Sequence, residues 1–277
     1  MIKASYNKSL ANCMFQYAFA RILAERFGYS LRVEPLVLFP ATHQHVSGET
    51  VFGPRINWYG NWPFDDDSRS VHRGELNEPP ASKLNLCGSF QRFELFAEHR
   101  DRICGEWFRT DAVQQPRPSS DFLICLRPTS DPREGACPAS DEERPIDPED
   151  ELLLADSILT NDEIRRLARS VPHDRLFLSV GGNFEETRKT ELADLRPIFV
   201  SEDGIRDFLF VLSFQKIAIS QNALHWWAAF LSGAREIYFP PLSRGFWSHP
   251  RPPDLAHQPN YHGIDLRVDE DRFIYDW

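Results

Sequence analysis

The sequence is poor in the features that fix a protein's class at once. Its 277 residues hold five cysteines, Cys13, Cys87, Cys104, Cys125 and Cys137, and none forms a C-x-x-C pair. An odd count without paired spacing argues against a disulfide framework or a zinc ribbon and fits a reducing compartment. There is no excess of positive charge: 31 Lys and Arg stand against 41 Asp and Glu, a net charge of −10. Such a chain lacks the field that attracts polyanions, so it is a poor general binder of nucleic acid or anionic membrane. A local basic pocket for one pyrophosphate stays open. No run reaches the roughly 18–20 apolar residues that a membrane helix needs. Met1-Ile2-Lys3-Ala4-Ser5 shows no charged start followed by an apolar stretch, so no secretion signal is expected. The expected location is the cytoplasm, with at most peripheral membrane association, and nothing in the sequence sets an oligomeric state.

What is present is ordinary globular material. Hydrophobic residues make up 42% and charged residues 26%, which supports a folded core. The length suits two domains better than one. Leu10, Met14, Ala18 and Ile22 recur at every fourth position, with Phe15, Phe19, Leu23 and Phe27 beside them. This predicts a helix with a wide apolar stripe, capped by Asn12 and ended by Gly28. Strands are expected over residues 1–6, 29–33 and 84–87, and a second amphipathic helix over 90–108. Residues 35–82 read as loops with short strands. The Pro- and Ser-containing stretch 110–120 reads as a linker between domains 1–110 and 121–277.

The second half alternates. Strands are expected at 122–126, 175–179, 197–200, 216–220 and 236–239. Helices are expected at 161–170, 184–194, 204–214 and 224–231. The polar stretch 127–150 reads as a long loop, and the tail after Pro240 as a surface wrap. Alternation at this spacing predicts a parallel sheet covered on both faces. Ligands of such sheets bind beyond the carboxyl ends of the strands, where loops meet helix N-termini.

Three segments carry a resemblance. They are Leu10-Ala11-Asn12-Cys13-Met14-Phe15-Gln16-Tyr17-Ala18, Gly88-Ser89-Phe90-Gln91, and Ile219-Ser220-Gln221-Asn222-Ala223-Leu224-His225-Trp226-Trp227-Ala228-Ala229. In this order they resemble the motifs G-G-L-G-N-Q-M-F-Q-Y-A, G-Y-F-Q and I-x-N-S-T/S-F-S-W-W-G-A of the bacterial α-1,2-fucosyltransferases. The resemblance implies an α/β protein of two Rossmann-like domains facing a cleft, the GT-B type. It also implies GDP-fucose as donor, a glycan acceptor, inversion at the anomeric carbon, and neither a cofactor nor a required metal. The family's H-x-R-R-G-D segment corresponds to Cys125-Leu126-Arg127-Pro128-Thr129-Ser130, so Arg127 takes the place of the arginine that binds the pyrophosphate. Asn12 matches the asparagine near the donor phosphates. Gln16, Asn222 and His225 are the further candidate donor contacts.

A guanidinium forked onto a departing diphosphate stabilises the charge that grows there in the transition state. That is the physical case for Arg127 as the catalytic group. No residue is assigned as the base that takes the acceptor's proton. The chain departs from the family pattern at several places. The glycine loop is Lys8-Ser9-Leu10-Ala11, the histidine is Cys125, and the second arginine is Pro128. The acidic S-D-D segment that reads guanine corresponds to Ser179-Val180-Gly181-Gly182, with Glu185 as a displaced carboxylate. These departures keep two rivals in play, a catalytically inactive relative that binds glycan or nucleotide sugar, and a transferase using another nucleotide sugar.

Other polar groups read more plainly. Asp131 is a loop carboxylate, and His43 with His45 lacks the third ligand a metal would need. Asp65-Asp66-Asp67 and Asp141-Glu142-Glu143 are solvated runs. Trp226 and Trp227 are expected in the core. Trp58-Tyr59 and Trp62-Pro63-Phe64 are aromatic pairs that suit either sugar stacking or core.

Overall fold

The computed structural model describes residues 1–4, 6, 10–45, 56–60, 84–88, 96–112, 115–126, 159–180, 184, 186–201, 204–219, 223–238 and 273–274. Described residues up to Asp111 cluster into one unit and those from Ala112 into another.

The first unit is organised by its helix. Strand β1 (Ile2–Ala4) leads into α1 (Leu10–Phe27), which returns to β2 (Leu31–Arg32). Residues 11–20 of α1 are buried on every side, so the apolar stripe expected from the sequence is wide enough to become a central helix. Gly28 ends it at φ +66°, a left-handed conformation that costs glycine little. The Tyr29 N–H then donates to the Ala24 carbonyl at 2.8 Å, closing the turn. Strands β3 (Ile56–Gly60) and β4 (Leu84–Gly88) complete an all-parallel sheet in the order β2-β1-β4-β3.

Two expectations need correction here. Asn12 is not an N-cap: the helix begins at Leu10, so Asn12 lies inside its first turn. The described part of the helix expected at 90–108 is no single α-helix. Ala97–His99 is a 3-10 turn, Arg100–Arg102 one α-turn, and Ile103–Trp107 a π-turn. The wide turn is closed by the Phe108 N–H on the Ile103 carbonyl at 2.9 Å. It sends Ile103, Trp107 and Phe108 inward together. Phe108 then packs on Tyr17 and Phe39, and Trp107 lies under the guanidinium groups of Arg21 and Arg102. Each large buried side chain of this kind contributes about 1.5–3 kcal/mol.

The second unit follows the expected alternation closely. In chain order it runs β5 (Asp121–Cys125), α2 (Asn161–Ser170), β6 (Arg175–Ser179), α3 (Glu186–Glu191), β7 (Ile198–Val200), α4 (Gly204–Leu212), β8 (Lys216–Ala218), α5 (Ala223–Leu231) and β9 (Glu236–Tyr238). Thr160 and Glu163 form a reciprocal cap that starts α2 where the sequence places it. A short strand, β10 (Phe273–Ile274), pairs with β9. Part of the tail read as a surface wrap therefore extends the sheet.

The sheet is all parallel, in the order β10-β9-β8-β5-β6-β7. One face packs Phe122, Ile124, Leu176 and Leu178 against Ile164 and Leu167 of α2. On the other, Phe177 meets Phe210 of α4 and Phe214 just after it. In α5, Trp226, Trp227 and Phe230 form one buried aromatic cluster, as expected for core residues. The stretch read as a linker is fastened to this unit in its second half: the Arg117 N–H donates to the Ser213 carbonyl at 2.8 Å.

Candidate functional site

The strand order locates a crevice. From β5 the chain moves outward through β6 to β7, then returns to the other side of β5 and continues through β8 to β9. Helix α2, which follows β5, and helix α5, which follows β8 and is bonded to α4, therefore lie on opposite faces of the sheet. This is the switch point at which open parallel sheets bind ligands. The register is set by Leu123 opposite Ile217 and Ile124 opposite Ala218. Both strands are prolonged by one residue beyond their ends. The Leu126 N–H donates to the Ser179 carbonyl at 2.8 Å, and the Ile219 N–H to the Tyr238 carbonyl at 3.0 Å. The two motif segments that begin at Cys125 and Ile219, far apart in sequence, thus leave the sheet from neighbouring strands.

Arg127 follows Leu126 directly in the chain but lies outside the described residues. So do Asn222, Asp131, Glu185, Gly181 and Gly182, the acidic runs 65–67 and 141–143, and the aromatic segment 62–64. Trp58 and Tyr59 belong to β3, but their side chains lie outside the described residues.

His225 is described, in the first turn of α5, and the structure gives it a partner the sequence did not name. Its Nε2 lies 2.9 Å from Asp207 Oδ2. The other oxygen of Asp207 accepts a hydrogen bond from the Ser179 hydroxyl at 2.6 Å. All three side chains are at most 1% exposed. One carboxylate in the first turn of α4 therefore links the last residue of β6 to the start of α5. The order of partners matters. In a nucleophilic relay the imidazole bridges hydroxyl and carboxylate; here the carboxylate bridges hydroxyl and imidazole, which fastens three elements together and does not activate Ser179.

Cys125, opposite Ser179 in the sheet, is also fully buried. Burial first, and the charge of Asp207 second, push its thiol well above the ordinary range. It is a neutral packing group at the position where the family motif has histidine.

Asp207 was missed by the sequence reading. The signal was there: Asp207, Val211 and Phe214 fall at i, i+4 and i+7, so the carboxylate stands on the apolar stripe of its helix. A buried carboxylate is expensive unless satisfied, and that oddity marks it.

In the first unit, Asn12 and Gln16 lie one turn apart on α1, 4% and 2% exposed. Asn12 is in the first turn of α1, which follows the carboxyl end of β1 in the chain. Cys13 beside it has its thiol pushed up to about 12, by burial first and the nearby charge of Glu34 second. His43 is exposed, and the His45 side chain lies outside the described residues. Among the described residues no three His, Cys, Asp or Glu side chains are grouped to hold a metal ion. No helix among them is long and apolar enough to cross a membrane.

Neither a known family profile nor a curated protein matches the sequence. Among solved structures, the chain is similar to a mutant of Arabidopsis thaliana FUT1 in complex with GDP, with 7% identity and a TM-score of 0.48 over 86% of this chain and 70% of that one. It is also similar to NodZ alpha-1,6-fucosyltransferase soaked with GDP-fucose, with 13% identity and a TM-score of 0.42 over 85% of this chain and 93% of that one. A third, the selenomethionine fucosyltransferase NodZ from Bradyrhizobium, has 14% identity and a TM-score of 0.44 over 88% of this chain and 96% of that one.

Proposed function

We propose that the chain is a nucleotide-sugar-dependent glycosyltransferase that transfers fucose from GDP-fucose, with inversion, to a hydroxyl of a glycan. In this reading residues 121–277 hold the donor and residues 1–110 the acceptor. The observation that carries it is the adjacency of β5 and β8 at the switch point of the second sheet. That adjacency brings the segment entering Arg127 and the segment entering α5 to one crevice, where a diphosphate fits general physical expectation.

Arg127 then acts on the leaving group. The acceptor oxygen forms its bond to the anomeric carbon as the bond from that carbon to the diphosphate breaks, and the hydroxyl proton passes to water or to the departing phosphate. The electron pair departs onto GDP, and the guanidinium stabilises it there. Asn222, and the N–H groups that open α5, serve the same anion, and Asn12 and Gln16 are kept as further candidate donor contacts.

Calorimetric titration with GDP, GDP-fucose, GDP-mannose, UDP and CMP tests the donor. Saturable binding of GDP and GDP-fucose alone supports this reading, and binding of UDP or CMP instead moves the donor to another class. Arg127→Ala should weaken GDP binding by about 10–100-fold, the equivalent of a charged hydrogen-bond pair, and abolish transfer with the fold intact. Unchanged affinity and turnover in this variant remove Arg127 from the site.

A second reading, a relative that binds without turnover, draws on Cys125. A neutral buried thiol replaces the histidine of the motif. Nucleotide-sugar binding with neither donor hydrolysis nor transfer would favour it.

A further inference from the structure

We infer that Asp207 is a positioning residue of the donor site, the group that sets the two sides of the crevice relative to each other. The inference rests on the donor reading above and extends it to a residue that no motif contains.

The contacts run outward from Asp207 in two directions. Its Oδ1 accepts the Ser179 hydroxyl at 2.6 Å. Ser179 is the last residue of β6, and its carbonyl accepts the Leu126 N–H at 2.8 Å. Leu126 immediately precedes Arg127. On the other side, Oδ2 of Asp207 lies 2.9 Å from Nε2 of His225. His225 is the third residue of α5, which follows Asn222. Leu126, the described residue before one proposed diphosphate segment, and α5, the helix after the other, are thus tied within a few bonds to one carboxylate.

The chemistry of the tie is informative. A carboxylate that is 1% exposed carries a large desolvation cost. An apolar side chain would fill the same space between α4 and the sheet without that cost. What the carboxylate adds is direction: it accepts from a hydroxyl and from an imidazole N–H at fixed angles, so β6 and α5 keep one relative setting. Its place in the first turn of α4 also suits a negative charge. Small displacements of groups that hold a reacting phosphate cost large factors in rate, so a rigid tie of this kind acts on affinity and turnover.

Four variants test the assignment: Asp207→Asn, Ser179→Ala, His225→Ala and His225→Gln, each examined for GDP affinity by calorimetry and for thermal midpoint without ligand. Asp207→Asn keeps the shape but can accept from only one of its two donors with full strength. It should stay folded and bind GDP about tenfold more weakly. His225→Ala should lose a similar factor, and His225→Gln should regain most of it, because its amide N–H reaches the place of Nε2. The serine and histidine losses should be less than additive with the loss at Asp207, since all act through one group. Asp121→Ala, a destabilising change at the opposite end of the same strands, is the control and should leave GDP affinity alone. If Asp207→Asn does not fold, Ser179→Ala carries the same test. The assignment is overturned if Asp207→Asn, or Ser179→Ala in its place, binds GDP as the native protein does. It is overturned equally if affinity only tracks the thermal midpoint across all variants, Asp121→Ala included. If the native protein binds no GDP, the proposed donor falls first and the assignment with it; native binding with an unaffected variant sinks the assignment alone.

Discussion

Strands β5 and β6 bury a carboxylate at each end, and the two ends treat it differently. At the amino end Asp121, 1% exposed, meets cations. Arg175 forks onto it at 2.7 and 2.6 Å, and Arg117 stands at 3.9 Å. At the carboxyl end Asp207 meets a hydroxyl and an imidazole. A carboxylate held by guanidinium groups is neutralised in place and fastens the fold. One held by a serine hydroxyl and an imidazole spends its contacts on direction. Open parallel sheets bind ligands at their carboxyl ends, so under the proposed function the asymmetry would separate a stabilising end from a working end on the same two strands.

The largest effect expected on stability is at the amino end. Asp121→Ala leaves two guanidinium groups without their acceptor. Arg175 is half exposed and water takes over part of its loss, so the cost falls below that of a fully enclosed pair. Denaturant unfolding should show that loss, with GDP affinity unchanged. A loss of affinity equal to that of Asp207→Asn would erase the distinction between the two ends.

Arg117→Ala comes next. Its guanidinium lies 4.9, 4.8 and 4.9 Å from the ring centres of Phe177, Phe210 and Phe214. Its carbonyl accepts from Gln215 at 3.3 Å. Removing the cation from this aromatic bed should cost about 1–2 kcal/mol. It should also expose residues 115–120 to protease earlier than the native chain, since their backbone tie to Ser213 loses its side-chain support. Unchanged cleavage there would mean that the backbone bond alone holds the segment.

How far the sequence revealed this depends on whether a feature is local. Helix α2 and strand β6 match their expected limits, because Thr160 and Glu163 make a cap within four residues and the apolar run Leu176–Leu178 stands between Arg175 and Ser179. The end of α1 was legible for the same reason: Gly28 carries its own conformational signal. The π-turn at Ile103–Trp107 was not, because it is set by what Trp107 packs against and not by the period of its own residues. Strand β10 is two residues long and exists only through β9. In the site, the motifs pointed to β5 and α5, but neither could reveal that Asp207 lies between Ser179 and His225. Those three residues are distant in sequence, and only the strand order and the packing of α4 and α5 bring them together.

The smallest effect is also the one that separates the ends without a ligand. Cys125 sits at the carboxyl end with its thiol pushed well up, chiefly by burial, and Cys13 in α1 is pushed up to about 12. An unfolded thiol releases its proton near pH 8.5–9, while these two folded thiols keep theirs. Above that pH the unfolded chain is stabilised by ionisation and the folded chain is not. Stability is therefore intact below about pH 8.5 and falls as pH rises, through about pH 12 for Cys13, with the raised thiol of Cys125 acting in the same direction. Each thiol should contribute a loss of about 1 kcal/mol between pH 9 and 10. Urea midpoints at pH 8, 9 and 10 should then show a shallower decline for Cys125→Ala than for the native chain. Asp121→Ala removes no thiol, so it should lower the whole curve without changing its slope. Because burial is the leading cause at Cys125, Asp207→Asn should leave that slope nearly as it is. A slope that flattens as much in Asp207→Asn as in Cys125→Ala would instead make the field of Asp207 the dominant force at this end of the sheet.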